Sequence, residues 1–371
     1  MPRTNKLRDD LLLGRLSRRD LGKMMAAAGV AMAAIPLSRA AQAAAGDLVY
    51  YTWSGYDLPG FHPQYVQKHG GSPASALFAD EEEALTKLRS GFVCDVVHPC
   101  STAIGRWRDA GVIQSFDSSR LSNWGDLFPQ LQTLPGTQVD GQQWFAPVDW
   151  GNTSVIYRTD LFDLQGQPES WTMLWDERYA GRLSIGEDVS DTGVIVGLLI
   201  GAENPYQLTD EELVKMRELL VKQKPLLRFY WNDTTTLDQA MASGEVIASS
   251  GWNSSVVALR NAGVPVAFAN PKEGLLAYVC GLVMSSSATH TDLAYDLIDA
   301  MISPEAGQWL MTEYGYGHSN SKAFALVGDA KLEELGLPKD PAVLFEKAVF
   351  LQTNTRLAEM QAIMEEVKAG L

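Results

Sequence analysis

From Asp47 to His98 the chain alternates strand, helix, strand, helix, strand, and this alternation limits the possible folds more than any other feature. "DLVYYTW" is a β-rich run, and "PGFHPQYVQKHGG" predicts a helix closed by glycines. "ASALF" is a short strand, after which Asp80, Glu81, Glu82 and Glu83 open a helix with their acids at its positive end. "FVCDVVHP" is almost continuously apolar, the pattern of a strand covered on both faces. A βαβα order implies a parallel sheet with helices on its faces. Ligands of such sheets sit at the carboxyl ends of strands, where Trp53 and the segment His98–Thr102 both fall.

A second series follows. "WFAPVDWGNTSVIYRTDLF" contains two strand-like runs broken at Asp149–Asn152. "GRLSIGED", "PLLRFYW", "EVIASSGW", "PVAFAN" and "LAYVCGLVM" read as strands, with helices between and after them, and the last thirty or so residues read mostly as helix. A chain of 371 residues suits two domains better than one core. Two βα series without a flexible linker predict two α/β lobes, with the chain crossing between them near Trp150–Gly151 and again near Trp252.

The amino-terminal segment carries a different message. Arg18 and Arg19 precede the apolar small-residue run Met24–Leu37, and Ala41-Gln42-Ala43 has a small-x-small cleavage pattern. This is the pattern of a twin-arginine export signal cut after Ala43; the run is too short for the roughly 20 residues of a membrane span. The whole chain has a net charge of −15. Residues 1–43 contribute a surplus of +5, so the exported body carries −20. Such a body repels nucleic acid and anionic lipid. The three cysteines, Cys94, Cys100 and Cys280, show no Cys-x-x-Cys or metal-type spacing. Their odd number leaves at least one thiol free or paired between molecules.

No nucleophile elbow, zinc-protease helix, phosphate-binding glycine loop or dinucleotide fingerprint is present. The five histidines are dispersed, and of these only His98 sits at a strand end. The expectation is a binding protein, without enzyme activity, cofactor or metal. Aromatic side chains beside turns favour the same reading: Trp53, Tyr56, Trp150, Trp252, Tyr278, Tyr314 and Tyr316. Ring faces attract ammonium groups by about 0.5–2 kcal/mol, and a sequestered cation also needs a carboxylate. Asp188 and Asp191, spaced i, i+3 in "GEDVSDTG", are the candidates, with helix capping as their alternative role.

In sequence order, "YYTWSGY", "CDVVHPCSTAIGRWRDAGVIQSFDSSRLSNWGDL", "FAPVDWGNTSVIY", "WDERYAGRLSIGED", "GEVIASSGWNSS", "NPKEGLLAYVCGLVM" and "SPEAGQWLMTEYGYG" make the chain from Asp47 onward resemble the periplasmic spermidine/putrescine-binding proteins of ABC importers. The resemblance implies an α/β, two-lobed type II periplasmic binding fold, with mostly parallel sheets, flanking helices and a hinge. One lobe would comprise residues 44–150 and 253–318, the other 151–252 and 319–371. It implies a monomer that passes a small amine to permease subunits driven by a cytoplasmic ATPase.

Carried over residue by residue, the resemblance implies a ligand site of Trp53, Ser54, Tyr56, Cys100, Asp188, Asp191, Trp252, Tyr278, Cys280, Tyr316 and Gln352. Gly55 and Cys280 stand where the family tends to have acids, Cys100 stands at a Ser position, and Thr102 replaces a Tyr. Two lost acids point to one charged amine with a neutral or anionic far end. Arg228 is the candidate partner for a carboxylate, as in a zwitterion such as γ-aminobutyrate. Cys100 and Cys280, both at cleft positions, are candidates to pair. A ferric-ion receptor drawing on Tyr50, Tyr51, Tyr314 and Tyr316 is the nearest rival, weakened because adjacent strand residues point to opposite faces; an enzyme, discouraged by the missing motifs, is the rival from another class.

Overall fold

The computed structural model describes residues 48–371. The expected export signal and its cleavage site lie outside the described residues.

Eight strands form one hydrogen-bonded path: β1 (Val49–Trp53), β2 (Ala74–Phe78), β3 (Val96–Val97), β4 (Ala146–Arg158), β5 (Leu183–Gly186), β6 (Leu227–Trp231), β7 (Ala248–Trp252) and β8 (Leu276–Ser285). Their order is β2-β1-β3-β8-β4-β7-β5-β6. At one end β1 pairs in parallel with β2 and β3; at the other, β5 pairs in parallel with β6 and β7. The two parallel groups are joined by β8 and β4, which run antiparallel to each other and to their outer neighbours. Two parallel half-sheets joined by two long shared strands form the two-lobed α/β fold.

Strand β4 explains how the halves connect. Polar Asp149 and Asn152 flank Trp150 and Gly151, yet all thirteen residues form one strand, and only Arg158 is not buried. The expected break is absent: the Asp149 side chain finds buried partners in Tyr56 and His98, the Asn152 backbone N–H donates to Asn253 Oδ1, and Gly151 lets a neighbouring ring approach. A Cβ at Gly151 would lie 2.0 Å from the Tyr278 hydroxyl. Strand β8 has a matching irregularity: its register with β4 shifts between Cys280 and Gly281. A Cβ at Gly281 would sit 2.1 Å from the Ala146 carbonyl oxygen. A glycine at a bulge allows that backbone approach.

The apolar cores mark the lobes. One contains Tyr50, Tyr51, Val97, Trp107 and Trp150, with Phe324, Leu332 and Phe345. The others contain Val155, Leu183 and Ile247; Ile156, Trp231, Val256, Leu259 and Val266; and Val189, Leu213, Met360 and Met364. Packing therefore divides the chain differently from the boundaries expected at 252/253 and 318/319. Residues around 256–266 pack with the second lobe, and residues 323–345 with the first. A strand-by-strand reading cannot anticipate this, because both stretches are amphipathic and would suit either core.

Helix α1 (Glu81–Arg89) follows β2, and the Asp80 side chain caps it by accepting from the backbone N–H groups of Glu82 and Glu83. Helix α2 (Val189–Leu199) follows β5 and is capped by Asp188. The carboxyl-terminal stretch is less helical than expected: Leu351–Asn354 is extended coil before helix α3 (Leu357–Ala369). Among the described residues, no helix is long and apolar enough to cross a membrane.

Candidate functional site

A cavity of 740 Å³ lies between the carboxyl ends of the two parallel groups, in the size range of small-molecule sites. Its first-lobe wall starts at Trp53, the last residue of β1, whose indole packs on Phe78 with ring centroids 4.5 Å apart. A tight turn follows, in which the Tyr56 N–H donates to the Trp53 carbonyl at 3.1 Å. Gly55 has φ +94° in this turn, a region costly to any residue with a Cβ. Glycine suits this backbone conformation at 55. Ser54 is exposed and does not line the cavity.

Tyr56 stacks on Phe61 at 4.6 Å, and its hydroxyl donates to Asp149 Oδ2 at 3.2 Å. Asp149 Oδ1 is 3.2 Å from His98 Nε2, and His98 Nδ1 is 2.9 Å from the Tyr50 hydroxyl. His98 is fully buried, and Asp149 is 2% exposed. Burial pushes the Tyr56 phenol far up, and the neighbouring Asp149 charge pushes it further. Sequence reasoning passed over Asp149. Its signal was an acid inside a run that is otherwise apolar enough to be a buried strand.

Cys100 and Cys280 form a disulfide on the same wall, their Cα atoms 3.7 Å apart, and Cys94 is a buried free thiol. Pairing two cavity-lining cysteines ties the segment after β3 to strand β8. Tyr278, against Gly151, and Tyr316 stand nearby with ring centroids 6.3 Å apart. Burial raises both phenols, and Asp149 adds to it.

The second-lobe wall carries Asp188, Asp191 and Trp252. Asp188 caps α2, accepting from the Ser190 N–H at 2.9 Å, and also lines the cavity. Asp191 is not a cap. Its Oδ2 accepts from the Thr153 hydroxyl at 2.7 Å. Burial pushes its carboxyl up to about 6, helped by the Asp188 charge and opposed by the Thr153 bond. Trp252 ends β7 and meets Trp231 edge-on at 5.5 Å. Gln352 reaches the cavity from the coil, which is held by Thr353 Oγ1 donating to the Thr102 carbonyl at 2.7 Å.

Arg228 corrects the sequence expectation. It pairs with Glu245 in an exposed salt bridge, both side chains about half open to solvent, and it does not line the cavity. The cavity's base is instead Arg106, itself paired with Glu82. Glu81, also missed, lines the wall and accepts the Cys100 N–H at 2.6 Å. The run of acids at the start of α1 looked like dipole compensation alone, and only the fold brings Asp80, Glu81 and Glu82 to the cavity.

Among the described residues, no group of three His, Cys, Asp or Glu side chains could hold a metal ion. Of the tyrosines considered for iron, Tyr50 and Tyr51 are fully buried, and the Tyr314 hydroxyl donates to the Gly55 carbonyl at 2.7 Å. Raised phenol pKa values also oppose phenolate ligation.

The sequence is 27% identical over 319 residues to the putrescine/agmatine-binding protein of Pseudomonas aeruginosa, covering 80% of this chain and 83% of that protein. It is 24% identical over 335 residues to the spermidine/putrescine-binding periplasmic protein of Salmonella typhimurium, covering 89% and 94%. The fold matches the spermidine/putrescine ABC transporter substrate-binding protein PotD from Streptococcus pneumoniae with a TM-score of 0.74 at 18% identity, over 87% of this chain and 98% of that one. Residues 80–341 match the model of the bacterial extracellular solute-binding proteins, and the chain belongs to that family.

Proposed function

We propose that this protein is the periplasmic receptor of an ABC importer and captures a small organic amine of the polyamine type in the cleft between its lobes. The observation that carries this reading is the charge of the cavity wall. Asp80, Glu81, Glu82, Asp149, Asp188 and Asp191 line it against one base, Arg106, which Glu82 already pairs. A carboxylate wall with aromatic faces from Trp53, Tyr56 and Trp252 suits a desolvated ammonium, since rings and acids both favour cations. The names of the relatives support the same ligand class.

In this reading the ligand contacts are Trp53, Tyr56, Asp188, Asp191, Trp252, Tyr278, Tyr316 and Gln352, with the Cys100–Cys280 disulfide as a neutral part of the wall. The protein binds its solute unchanged, works as a monomer and passes it to permease subunits coupled to a cytoplasmic ATPase. A twin-arginine signal delivers it to the periplasm.

A second reading, a zwitterion such as γ-aminobutyrate, is favoured by Arg106: a ligand carboxylate competing with Glu82 for that guanidinium would find its partner within the cavity. Thermal-shift titrations with putrescine, spermidine and γ-aminobutyrate separate the two. The amine reading expects both polyamines to raise the melting temperature and γ-aminobutyrate to leave it unchanged. Stabilisation by γ-aminobutyrate alone would reverse the assignment.

A further inference from the structure

The acids at the start of α1 have different employments. Asp80 caps the helix through the N–H groups of Glu82 and Glu83. Glu82 pairs with Arg106. Glu81 does neither: its Oε1 accepts the Cys100 N–H at 2.6 Å, and among the described residues no cation forms an ion pair with it. Cys100 is itself fixed twice, by its disulfide to Cys280 and by a β-bridge to the same residue. One oxygen of Glu81 is thereby pinned to an immobile backbone N–H, and the carboxylate's remaining acceptor capacity is left for a ligand in the cavity that it lines.

The position of Glu81 matters as much as its freedom. It belongs to the first lobe, whereas Asp188 and Asp191 line the cavity from the second. Asp149, the other first-lobe acid away from α1, already accepts from Tyr56 and contacts His98. Among the described residues, Glu81 is therefore the first-lobe carboxylate of the cavity that serves neither a cap nor another side chain. We propose that Glu81 is the first lobe's ammonium acceptor and that it gives up a proton to solvent when an amine binds, so that the receptor exchanges protons for its cationic ligand. The inference rests on the amine reading above and adds the residue and the proton.

The groups around Glu81 set the direction of this exchange. Burial disfavours its charged form most, the Cys100 N–H and Arg106 favour that form, and Glu82 and Asp80 oppose it. The net result is a carboxyl pushed up to about 7. A ligand ammonium at the free oxygen adds the missing positive charge and drives the proton off. Binding then strengthens with pH. Protonation of Glu81 weakens binding about 10-fold between pH 8 and pH 6, and Asp191 adds a factor of about 2 by the same linkage.

Isothermal titration with putrescine in two buffers of different ionisation enthalpy tests this. At pH 7 the wild-type protein is expected to release roughly half a proton per ligand bound. Glu81→Gln keeps the acceptor for Cys100. It is expected to bind putrescine at least about 10-fold more weakly at pH 8 and to retain only the roughly 2-fold pH dependence of Asp191. If Glu81→Gln binds like the wild type, or the wild type releases no proton, the role of Glu81 is overturned while amine binding stands. If the wild type ignores putrescine and binds γ-aminobutyrate, the amine reading itself is overturned, and this inference with it. Should Glu81→Gln melt well below the wild type, the two-buffer proton count on wild-type protein decides the matter alone.

Discussion

Trp53 and Gly55 show how much two neighbouring residues can differ in what constrains them. Trp53 ends a strand, rests on Phe78 and presents its indole to the cavity, so its identity serves the wall. Gly55 is held by φ +94°, and the Tyr314 hydroxyl lies 3.3 Å from where its Cβ would be, so its identity serves the turn. Gly55 thus has a backbone role beside the loss of charge read from the sequence. Trp53→Ala should weaken amine binding by about 0.5–2 kcal/mol or more, the worth of a cation over a ring. Because Trp53 is only partly buried, its melting temperature should fall little. Calorimetry and a thermal melt on the same variant check both halves, and unchanged affinity would remove Trp53 from the site.

At the scale of elements, the cavity is assembled by fastenings between segments far apart in sequence. The Cys100–Cys280 disulfide closes a loop with a sequence separation of 180. Replacing both cysteines with serine is expected to cost about 2–5 kcal/mol of stability, read as a shift in the urea midpoint. Thiol titration of the unreduced, unfolded protein should find one group per chain, Cys94; three would mean that no disulfide forms. Strand β4 is fastened in another way. The Tyr278 ring lies against Gly151, and the Gly317 backbone lies against Trp150, whose indole N–H donates to the His318 carbonyl at 3.0 Å. These contacts hold an uninterrupted strand through a stretch whose residues, taken alone, signal a break.

For the whole molecule, the cavity stores electrostatic cost that a ligand relieves. Asp191 and Glu81 hold their protons up to about 6 and about 7 in the folded protein, against about 4 when unfolded. Between those values the two carboxyls bind more protons in the folded state than in the unfolded state. The contribution of these two carboxyls to the stability of the ligand-free protein therefore falls as pH rises from about 4 to about 7, while buried His62 and His318, both pushed down to about 4 by burial, contribute with the opposite sign over much of that range. Urea midpoints at pH 5 and pH 8, compared between wild type and variants, test this: Asp191→Asn or Glu81→Gln should remove its carboxyl's falling contribution, so that the variant gains stability relative to the wild type as pH rises. A cationic ligand in the cavity should do the same, by supplying the charge that both carboxylates lack. A ligand that touches both walls also offsets the cost of bringing the lobes together.

The strand and helix order, the two α/β lobes, and the aromatic residues at strand ends were legible in the sequence. Each depends on local patterning: apolar runs, capping acids and terminal glycines act within a few residues of themselves. The same holds for Trp53, Tyr56, Asp188, Asp191 and Trp252, which stand where strands end and helices begin. Tertiary structure alone decided the employment of side chains whose local pattern fits two roles. Arg228 could have faced the cavity or Glu245, and packing chose Glu245. Glu81 looked like one of four acids compensating a helix dipole until the segment carrying Cys100 was laid beside it. Asp149 read as a strand break until His98 and Tyr56, far away in the chain, met it in the core. Charge placement in a cleft depends on which distant segments lie opposite, and that is set by the packing of whole lobes, which no local stretch of sequence encodes.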